Sequence, residues 1–192
     1  FVTRFDSLDA KAWYLLGNIL CDPQPKEAVK AWEMAVKLDP AFAIAYRNLS
    51  FIYANVDHNA EKAIQTIGKA ISLKADEPVW IQEADLYREY AGFSVDKRLD
   101  FLEAHASTVS LWDKTILSRV DLLIYKGRLD EAIELLKNNH FYIAELTMIN
   151  PHNSWSDAHF YRGMRYLEQK QFDKAIADFE AITVFPRNLE IA

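Results

Sequence analysis

Apolar residues recur along the chain every three or four positions, and short polar turns separate the apolar stretches. This spacing is typical of amphipathic helices, and no segment shows the strict alternation of a half-buried strand. The predicted helices span residues 9–22, 25–38, 41–55, 59–73, 77–91, 95–105, 110–126, 129–138, 155–169 and 172–184. The pattern therefore predicts an all-α chain of about five antiparallel helix pairs.

The first pair shows how two such helices pack. Gly17 in the first helix and Ala28 in the second are small, so the two helices can approach closely there. Trp13 and Trp32 fill the space beside this contact. Pro40 ends the second helix, because a residue that precedes proline is pushed out of the α region.

The same positions recur later in the chain. The repeated residues are Tyr46, Leu49, Ser50, Tyr53, Ala63, Ile67, Ala70, Gly127–Ala132, Leu136, Gly163, Gln171–Ala175 and Phe179. An irregular unit lies between them, with Trp80 in its first helix and Arg98 near the place of the small residue in its second. One helix pair cannot bury its apolar face alone, so the pairs are expected to stack.

This spacing resembles the tetratricopeptide repeat family over nearly the whole chain. The resemblance implies a right-handed solenoid, a single domain of residues 1–192, and a protein–protein interaction scaffold. It also implies that the first helix of each pair lines a concave face that holds a peptide or partner segment. The expected peptide-binding residues on that face are Tyr14, Asn18, Arg47, Asn48, Phe51 and Tyr161, with Lys114, Ser118, Asp121, Phe160 and Met164 beside them. The alternative is that several of these side chains only pack within their own helix pair.

One group of tetratricopeptide domains clamps the acidic tail of heat-shock chaperones with two Asn residues and several cations. Asn18 and Asn48 stand at the two Asn positions, but Tyr14 replaces the first lysine. Without the cations most of the charge-assisted bonding is missing, so that partner is not favoured. Arg47 would retain a weaker preference for a carboxylate.

A second, weaker resemblance concerns bacterial proteins in which such repeats follow a mutarotase-like β-sandwich domain. It rests on Arg98–Leu99, Leu102–His105, His140–Phe141 and Val184–Leu189. It implies an alternative function, an accessory domain that packs against a carbohydrate-related enzyme or β-sandwich domain of the same protein. The chain begins at Phe1 without a methionine, so we expect a fragment of a longer protein.

Composition narrows the function classes. The chain has 192 residues and a net charge of −6, and its Lys and Arg residues do not cluster. Nucleic-acid binding is not expected, because it requires clustered cations. No stretch approaches the roughly 18 apolar residues of a membrane span. The one cysteine, Cys21, fits a cytoplasmic location but leaves the periplasm open.

The sequence contains no recognisable catalytic motif. The five histidines, His58, His105, His140, His152 and His159, are not in a metal-binding pattern. His152, His159 and Asp157 form at most a loose ligand set, and Cys21 is expected to pack as a small apolar residue. We therefore predict no enzymatic activity, no catalytic residue, no metal and no cofactor.

The segment Asn139–Ser154 interrupts the repeat. Phe141–Leu146 is predicted as a short extra helical turn, followed by a loop and a helix start with Ser154 or Ser156 as the N-cap. Insertions in solenoids often emerge on the binding face, and the alternative is a spacer between repeats.

The last helix has no capping helix after it. Its end carries Phe179, Ile182, Val184 and Phe185. An uncapped stack exposes apolar surface, so we expect this end to be covered by a second copy, another molecule or further chain.

Overall fold

The computed structural model describes residues 8–141 and 150–189, and these residues form helices and turns without a strand. The helices are α1 (Ala10–Leu20), α2 (Pro25–Leu38), α3 (Ala43–Asn55), α4 (Ala60–Leu73), α5 (Pro78–Tyr90), α6 (Val95–Ala104), α7 (Ala106–Val109), α8 (Asp113–Tyr125), α9 (Leu129–Asn138), α10 (Pro151–Glu168), α11 (Phe172–Ala181) and the 3₁₀ helix η1 (Arg187–Leu189). The all-α prediction is confirmed. Most of the extra turn predicted at Phe141–Leu146 lies outside the described residues.

The chain forms two compact units, residues 1–93 and 94–192. The division falls in the turn after α5, inside the irregular third pair of the sequence pattern. The organisation of residues 1–192 as a single domain stays a prediction.

The first unit consists of α1–α2, α3–α4 and α5, and each helix packs on the next. Gly17 is buried against the indole of Trp32, and a Cβ placed on Gly17 would lie 2.4 Å from the Trp32 Nε1 atom. Ala28 is fully buried beside this contact. The small residues of the first pair therefore allow the close approach that the spacing predicts.

Local sequence sets the ends of these helices. Asp9 and Asn59 accept backbone N–H groups as N-caps of α1 and α4, and proline begins α2 and α5. Proline suits the first helical position because its missing N–H has no helical partner there. Asp39 follows the last residue of α2, which confirms the helix end predicted before Pro40.

The second unit repeats this packing with a second glycine contact. α8 packs on α9, α9 on α10, and α10 on α11. A Cβ on Gly163 of α10 would lie 2.6 Å from the Phe179 ring. The short helix α7 follows α6, and the sequence pattern did not predict it.

The start of α10 differs from the prediction. Asn150 is the N-cap, and its side chain accepts the Asn153 N–H. Pro151 then occupies the first helical position, so the helix begins four residues before the predicted start at 155. The predicted N-caps Ser154 and Ser156 were wrong, because the Asn-Pro pair supplies both the cap and the first turn.

After α11 the chain folds back towards α9. The Asn188 side chain donates to the Leu136 carbonyl at 2.7 Å and to the Asn139 carbonyl at 2.6 Å. These are C-terminal carbonyls of α9, which have no helical partner. The Phe185 ring lies 4.0 Å from the ring of His152, so this end segment is anchored at two points.

Candidate functional site

Two surfaces carry the predicted binding residues, one in each unit. The first is the first-helix face, formed by Tyr14, Asn18, Arg47, Asn48 and Phe51 on α1 and α3. The second is the α8–α10 groove, which contains Tyr161.

On the first-helix face, the two asparagines bind each other. The Asn48 Nδ2 atom donates to Asn18 Oδ1 at 3.0 Å, and the same oxygen accepts the Trp32 indole N–H at 3.1 Å. Asn18 therefore links α1, α2 and α3 through one side chain. Its amide oxygen is occupied within the protein.

Arg47 is also engaged on this face. Its Nε atom donates to Glu83 Oε2 at 3.0 Å, and its Nη2 atom pairs with the other carboxylate oxygen. This two-point geometry is the strong form of an Arg–carboxylate pair. The hydrogen bonds with Glu83 raise the pKa of Arg47 above its ordinary value. Arg47 therefore already binds a carboxylate, that of Glu83 on α5 in the same unit.

The aromatic residues of this face differ in exposure. The Tyr14 ring packs 5.0 Å from the Phe42 ring and is half-buried. Phe51 is 41% exposed, and the Arg47 guanidinium lies 5.8 Å from its ring. Phe51 is therefore the member of the first-helix face with the most accessible apolar surface.

The second surface is a groove between α8 and α10 with a volume of about 1030 Å³. Its lining residues are Lys114, Leu117, Ser118, Asp121, Ile124, Tyr125, Lys126, Gly127, Leu129, Asn150, Asn153, Ser154, Asp157, Tyr161, Met164, Arg165 and Glu168. Apolar side chains, amides and charges of both signs face the same space. This mixture suits an extended chain that has both side chains and backbone groups to bind.

The charged residues on one side of the groove are fixed by hydrogen bonds. The Ser154 hydroxyl donates to Asp121 Oδ1 at 2.7 Å, which joins α10 to α8. Partial removal of solvent raises the pKa of Asp121; the Ser154 hydrogen bond opposes that rise, and Asp157 adds to it. At the other end, Arg165 donates to the Gly127 carbonyl at 3.0 Å. The groove walls are thus held together by bonds between α10 and the α8–α9 segment.

A buried ionic cluster fixes α10 on α11. Arg162 donates to both oxygens of Asp178, at 2.9 and 2.6 Å, and the His159 Nδ1 atom lies 2.7 Å from Asp178. Since an ionised carboxylate only accepts, Nδ1 carries the proton. Burial lowers the pKa of His159, and the hydrogen bond to Asp178 opposes that shift. This network joins α10, one wall of the groove, to α11.

The sequence did not predict this ionic cluster. The sequence allows at most a loose ligand set of His152, His159 and Asp157, but His159 bonds to Asp178 instead. His152 lies against Phe185 and its Nε2 atom pairs with the Leu189 carbonyl. One sequence signal for the cluster was available: Asp178 is an acidic residue that directly precedes Phe179, a repeated position of the second helix.

The metal-ligating side chains and the single cysteine are placed as follows. Within residues 8–141 and 150–189, no group of three or more His, Cys, Asp or Glu side chains is placed to hold a metal. Burial raises the pKa of the Cys21 thiol, and the nearby Asp22 charge raises it further. A raised pKa leaves less thiolate, the form that acts as a nucleophile.

No family model matches the sequence. Solved structures do resemble it. YrrB, a TPR protein with an unusual peptide-binding site, is 18% identical with a TM-score of 0.63, covering 92% of this chain and 86% of that one. MamA is 16% identical with a TM-score of 0.61, covering 90% and 89%. Pseudomonas aeruginosa PilF is 16% identical with a TM-score of 0.59, covering 90% and 74%.

These likenesses define the class of protein by its fold. The chain has the tetratricopeptide repeat fold, an α-helical repeat architecture, and the main resemblance seen in the sequence is confirmed at that level. The weaker resemblance to mutarotase-associated proteins stays a prediction. None of the described helices is long and apolar enough to cross a bilayer.

The structure brings the predicted site residues together in two groups, on α1 and α3 and on α8 and α10. Lys114, Ser118, Asp121 and Met164 line the same groove as Tyr161. Phe160, expected beside them, is not in that lining, and its ring lies 6.2 Å from the Phe179 ring.

The sequence pattern missed Asn153 as a lining residue because it predicts a loop there, and it names Asp157 only in a loose ligand set with His152 and His159. The Asn150–Pro151 pair was the signal that this segment is helical.

Proposed function

We propose that this chain is a protein-interaction module, not an enzyme, and that it binds an extended peptide segment of a partner protein in the α8–α10 groove. The groove carries the proposal because it is open, of ligand size, and lined by both apolar and polar groups. The fold supports it, and YrrB shows that a protein of this fold can have a peptide-binding site.

The groove offers a distinct contact for each part of a peptide. Tyr161 is 53% exposed and Met164 is 38% exposed, so they provide apolar surface for side chains. Asn153 and Ser118 can bond to peptide backbone groups. Lys114 and Asp157 place opposite charges in the lining, which favours a segment carrying both signs over a purely acidic one.

The first-helix face is the weaker candidate surface. Asn18, Asn48 and Arg47 already use much of their bonding capacity on one another, on Trp32 and on Glu83. A ligand there would have to replace bonds that the protein already makes. Phe51 and the half-buried Tyr14 would supply the apolar contacts.

A peptide selection followed by affinity measurement tests the proposal. Peptides selected from a random displayed library on the 192-residue chain are labelled, and their binding is measured by fluorescence anisotropy. Tyr161→Ala is expected to weaken binding at least tenfold, because aromatic anchors dominate such interfaces. The matched control is Tyr90→Ala, a tyrosine of the first unit with 56% exposure, which should change little.

The result also separates the two surfaces. Loss of binding with Phe51→Ala but not with Tyr161→Ala would move the site to the first-helix face and contradict the groove proposal. Failure to select any peptide would contradict peptide binding as a whole.

A further inference from the structure

The His159 side chain is enclosed at the junction between α10 and α11. It is 5% exposed, and its ring lies 4.2 Å from the Trp155 ring. Its Nδ1 atom bonds to Asp178, whereas its Nε2 atom is buried and has no hydrogen-bond partner among the described residues. The ring therefore uses one nitrogen and leaves the other without a described partner in the protein interior.

A second proton on this ring has an unfavourable place. Nδ1 already carries a proton, so protonation occurs at Nε2. The new Nε2–H group would be a buried donor, and the described residues provide no acceptor for it. A buried donor without an acceptor is unfavourable, and a buried charge is more so. The closed junction thus fits the neutral ring and disfavours the charged one.

The charged groups around the ring come from three helices. Asp178 of α11 is the carboxylate that bonds to it, and Arg162 of α10 already donates to both oxygens of Asp178. Lys137 of α9 adds a further positive charge, and Asp130 of α9 is an exposed second acceptor for Arg162. Burial lowers the pKa of His159, and the hydrogen bond to Asp178 opposes that shift. The Arg162 and Lys137 charges lower the pKa further, because a charged ring would be one more cation beside a carboxylate that is already paired.

The two sides of α10 are held by different bonds. On the groove side, Ser154 bonds to Asp121 of α8, and a second bond joins α10 to the turn before α9. On the other side, the described polar bonds to α11 are those of the ionic cluster and one from the Trp155 indole N–H to the Ala181 carbonyl at 2.8 Å. Weakening the cluster therefore acts on the α10–α11 junction before it acts on the groove side.

We propose that His159 is a pH-sensitive latch: protonation of its ring opens the α10–α11 junction before the rest of the second unit unfolds. Opening brings the ring into water, which supplies an acceptor for the Nε2–H group and hydrates the charge. Since the open form binds the proton more tightly than the closed form does, acid shifts the population towards the open form. The inference concerns this junction and does not depend on peptide binding in the groove.

An open junction changes the surface of α10. Trp155 is 4% exposed and Ala158 is fully buried, and the Phe179 ring of α11 packs on Gly163. Once α11 moves away, these positions of α10 form an apolar strip on one side of the helix. Exposed apolar patches mark interaction sites, so the latch would uncover this strip in acid and conceal it at neutral pH.

Hydrogen exchange of the 192-residue chain tests the latch, with rates corrected for the intrinsic effect of pH on exchange. The population of the open junction is expected to rise by up to about tenfold for each pH unit below 6.5, until the lower folded pKa is reached. Protection of the α11 amides should fall by the same factor, while protection of the α8 amides stays constant. The His159 ring signals, followed by NMR over the same pH range, should titrate below 6.5.

Two substitutions identify the group that senses the pH. His159→Asn keeps a donor for Asp178 but does not titrate, so protection of α11 should then be independent of pH. The control is His58→Asn in the first unit, since His58 is exposed and Asn readily adopts its positive φ of 52°. This control should behave like the unchanged chain. If His159→Asn fails to fold, the ring titration and the comparison of α11 with α8 in the unchanged chain still decide the question.

Three outcomes would overturn the inference. A His159 ring that titrates at or above its ordinary value shows that the closed junction does not disfavour the proton. An equal loss of protection in α11 and α8 shows unfolding of the whole unit and no latch. The same loss of α11 protection in His159→Asn shows that another group senses the pH.

Discussion

The first-helix face of the first unit and the α8–α10 groove of the second unit derive from the same repeat register. They differ in whether their polar side chains are already hydrogen-bonded within the protein. In the first unit, Asn18, Asn48 and Arg47 bond within the unit. In the second, Tyr161 and its neighbours line an open groove. Register thus places a residue on a face but does not determine whether that residue is free to bind.

Each unit has an Arg–carboxylate pair that joins two first- or second-helix elements, and the two pairs differ in how deeply they are buried. The Arg47 and Glu83 side chains are 29% and 15% exposed. The Arg162 and Asp178 side chains are 19% and 5% exposed, and His159 shares the carboxylate. A buried charge that loses its partner costs more than a surface one, so equal substitutions should have unequal effects in the two units.

The largest effect is expected for Asp178→Ala. It leaves His159 without its acceptor and Arg162 with only the exposed Asp130 carboxylate, and breaking a buried pair typically costs about 3–5 kcal/mol. Urea unfolding measures the free energy of unfolding. The matched control is Asp173→Ala, an exposed residue in the first turn of the same helix, with an expected change within about 0.5 kcal/mol. Equal costs for the two variants would show that the cluster does not stabilise the second unit.

The next effect concerns the contact between a glycine and an aromatic ring, which occurs once in each unit. Gly17→Ala should destabilise the first unit by about 1–3 kcal/mol, because the new Cβ overlaps the Trp32 indole and that ring is held by two hydrogen bonds. Gly163→Ala should act similarly against Phe179 in the second unit. Thermal melts compare both with the unchanged chain.

The control for these glycines lies in α4. Gly68 has no heavy atom within 4 Å of its ideal Cβ position. Gly68→Ala is therefore expected to stabilise by about 0.5–1 kcal/mol through helix propensity alone. A stabilising Gly17→Ala would refute the close-contact explanation.

A smaller effect is expected for Arg47→Met. Because the Arg47–Glu83 pair is partly exposed, its loss should cost about 1 kcal/mol. A double-mutant cycle with Glu83→Gln isolates the pair energy. If Arg47→Met lowered the free energy of unfolding as much as Asp178→Ala does, the deeper burial of the Arg162–Asp178 pair would not explain its contribution to stability.

The last effect appears only on acidification. The pKa of His159 is lower in the folded protein than its ordinary value near 6.5, so the unfolded chain binds the proton first. Stability should therefore fall as the pH drops through about 6.5, and continue to fall until the lower folded pKa is reached.

The variant His159→Asn should remove this component, because its amide can donate to Asp178 but does not titrate. The urea midpoint of both proteins, measured from neutral to mildly acidic pH, gives the comparison. Parallel pH profiles for the two would mean that His159 contributes no linkage.

The repeat motif made much of the fold predictable. Gly17, Ala28 and Pro40 mark close helix contacts and a helix end, and the local rules behind them act over a few residues. The start of α10 was missed because Ser154 resembles an N-cap, while the true cap, Asn150, precedes a proline. Both Asn150 and Ser154 are favourable N-cap residues, and the local sequence does not determine which of them begins the helix.

The candidate site was less predictable than the fold. The register placed Tyr161 and Asp121 on the first helices of their pairs, and both line the groove. It did not predict the hydrogen bonds of Arg47 with Glu83 or of Arg162 with Asp178. Each of these bonds joins two different helices through a long arginine side chain. Such pairings depend on rotamers and packing distance, which a repeat pattern does not specify.

The return of the chain after α11 has a consequence for how the second unit opens. Repeat arrays commonly fray from their last helix, with amide protons there exchanging first. Here Asn188 holds the carbonyls of Leu136 and Asn139, about fifty positions earlier in the chain. Fraying of the end segment must release the end of α9 at the same time. Hydrogen exchange should therefore show α9 and the residues around Asn188 opening as one cooperative block.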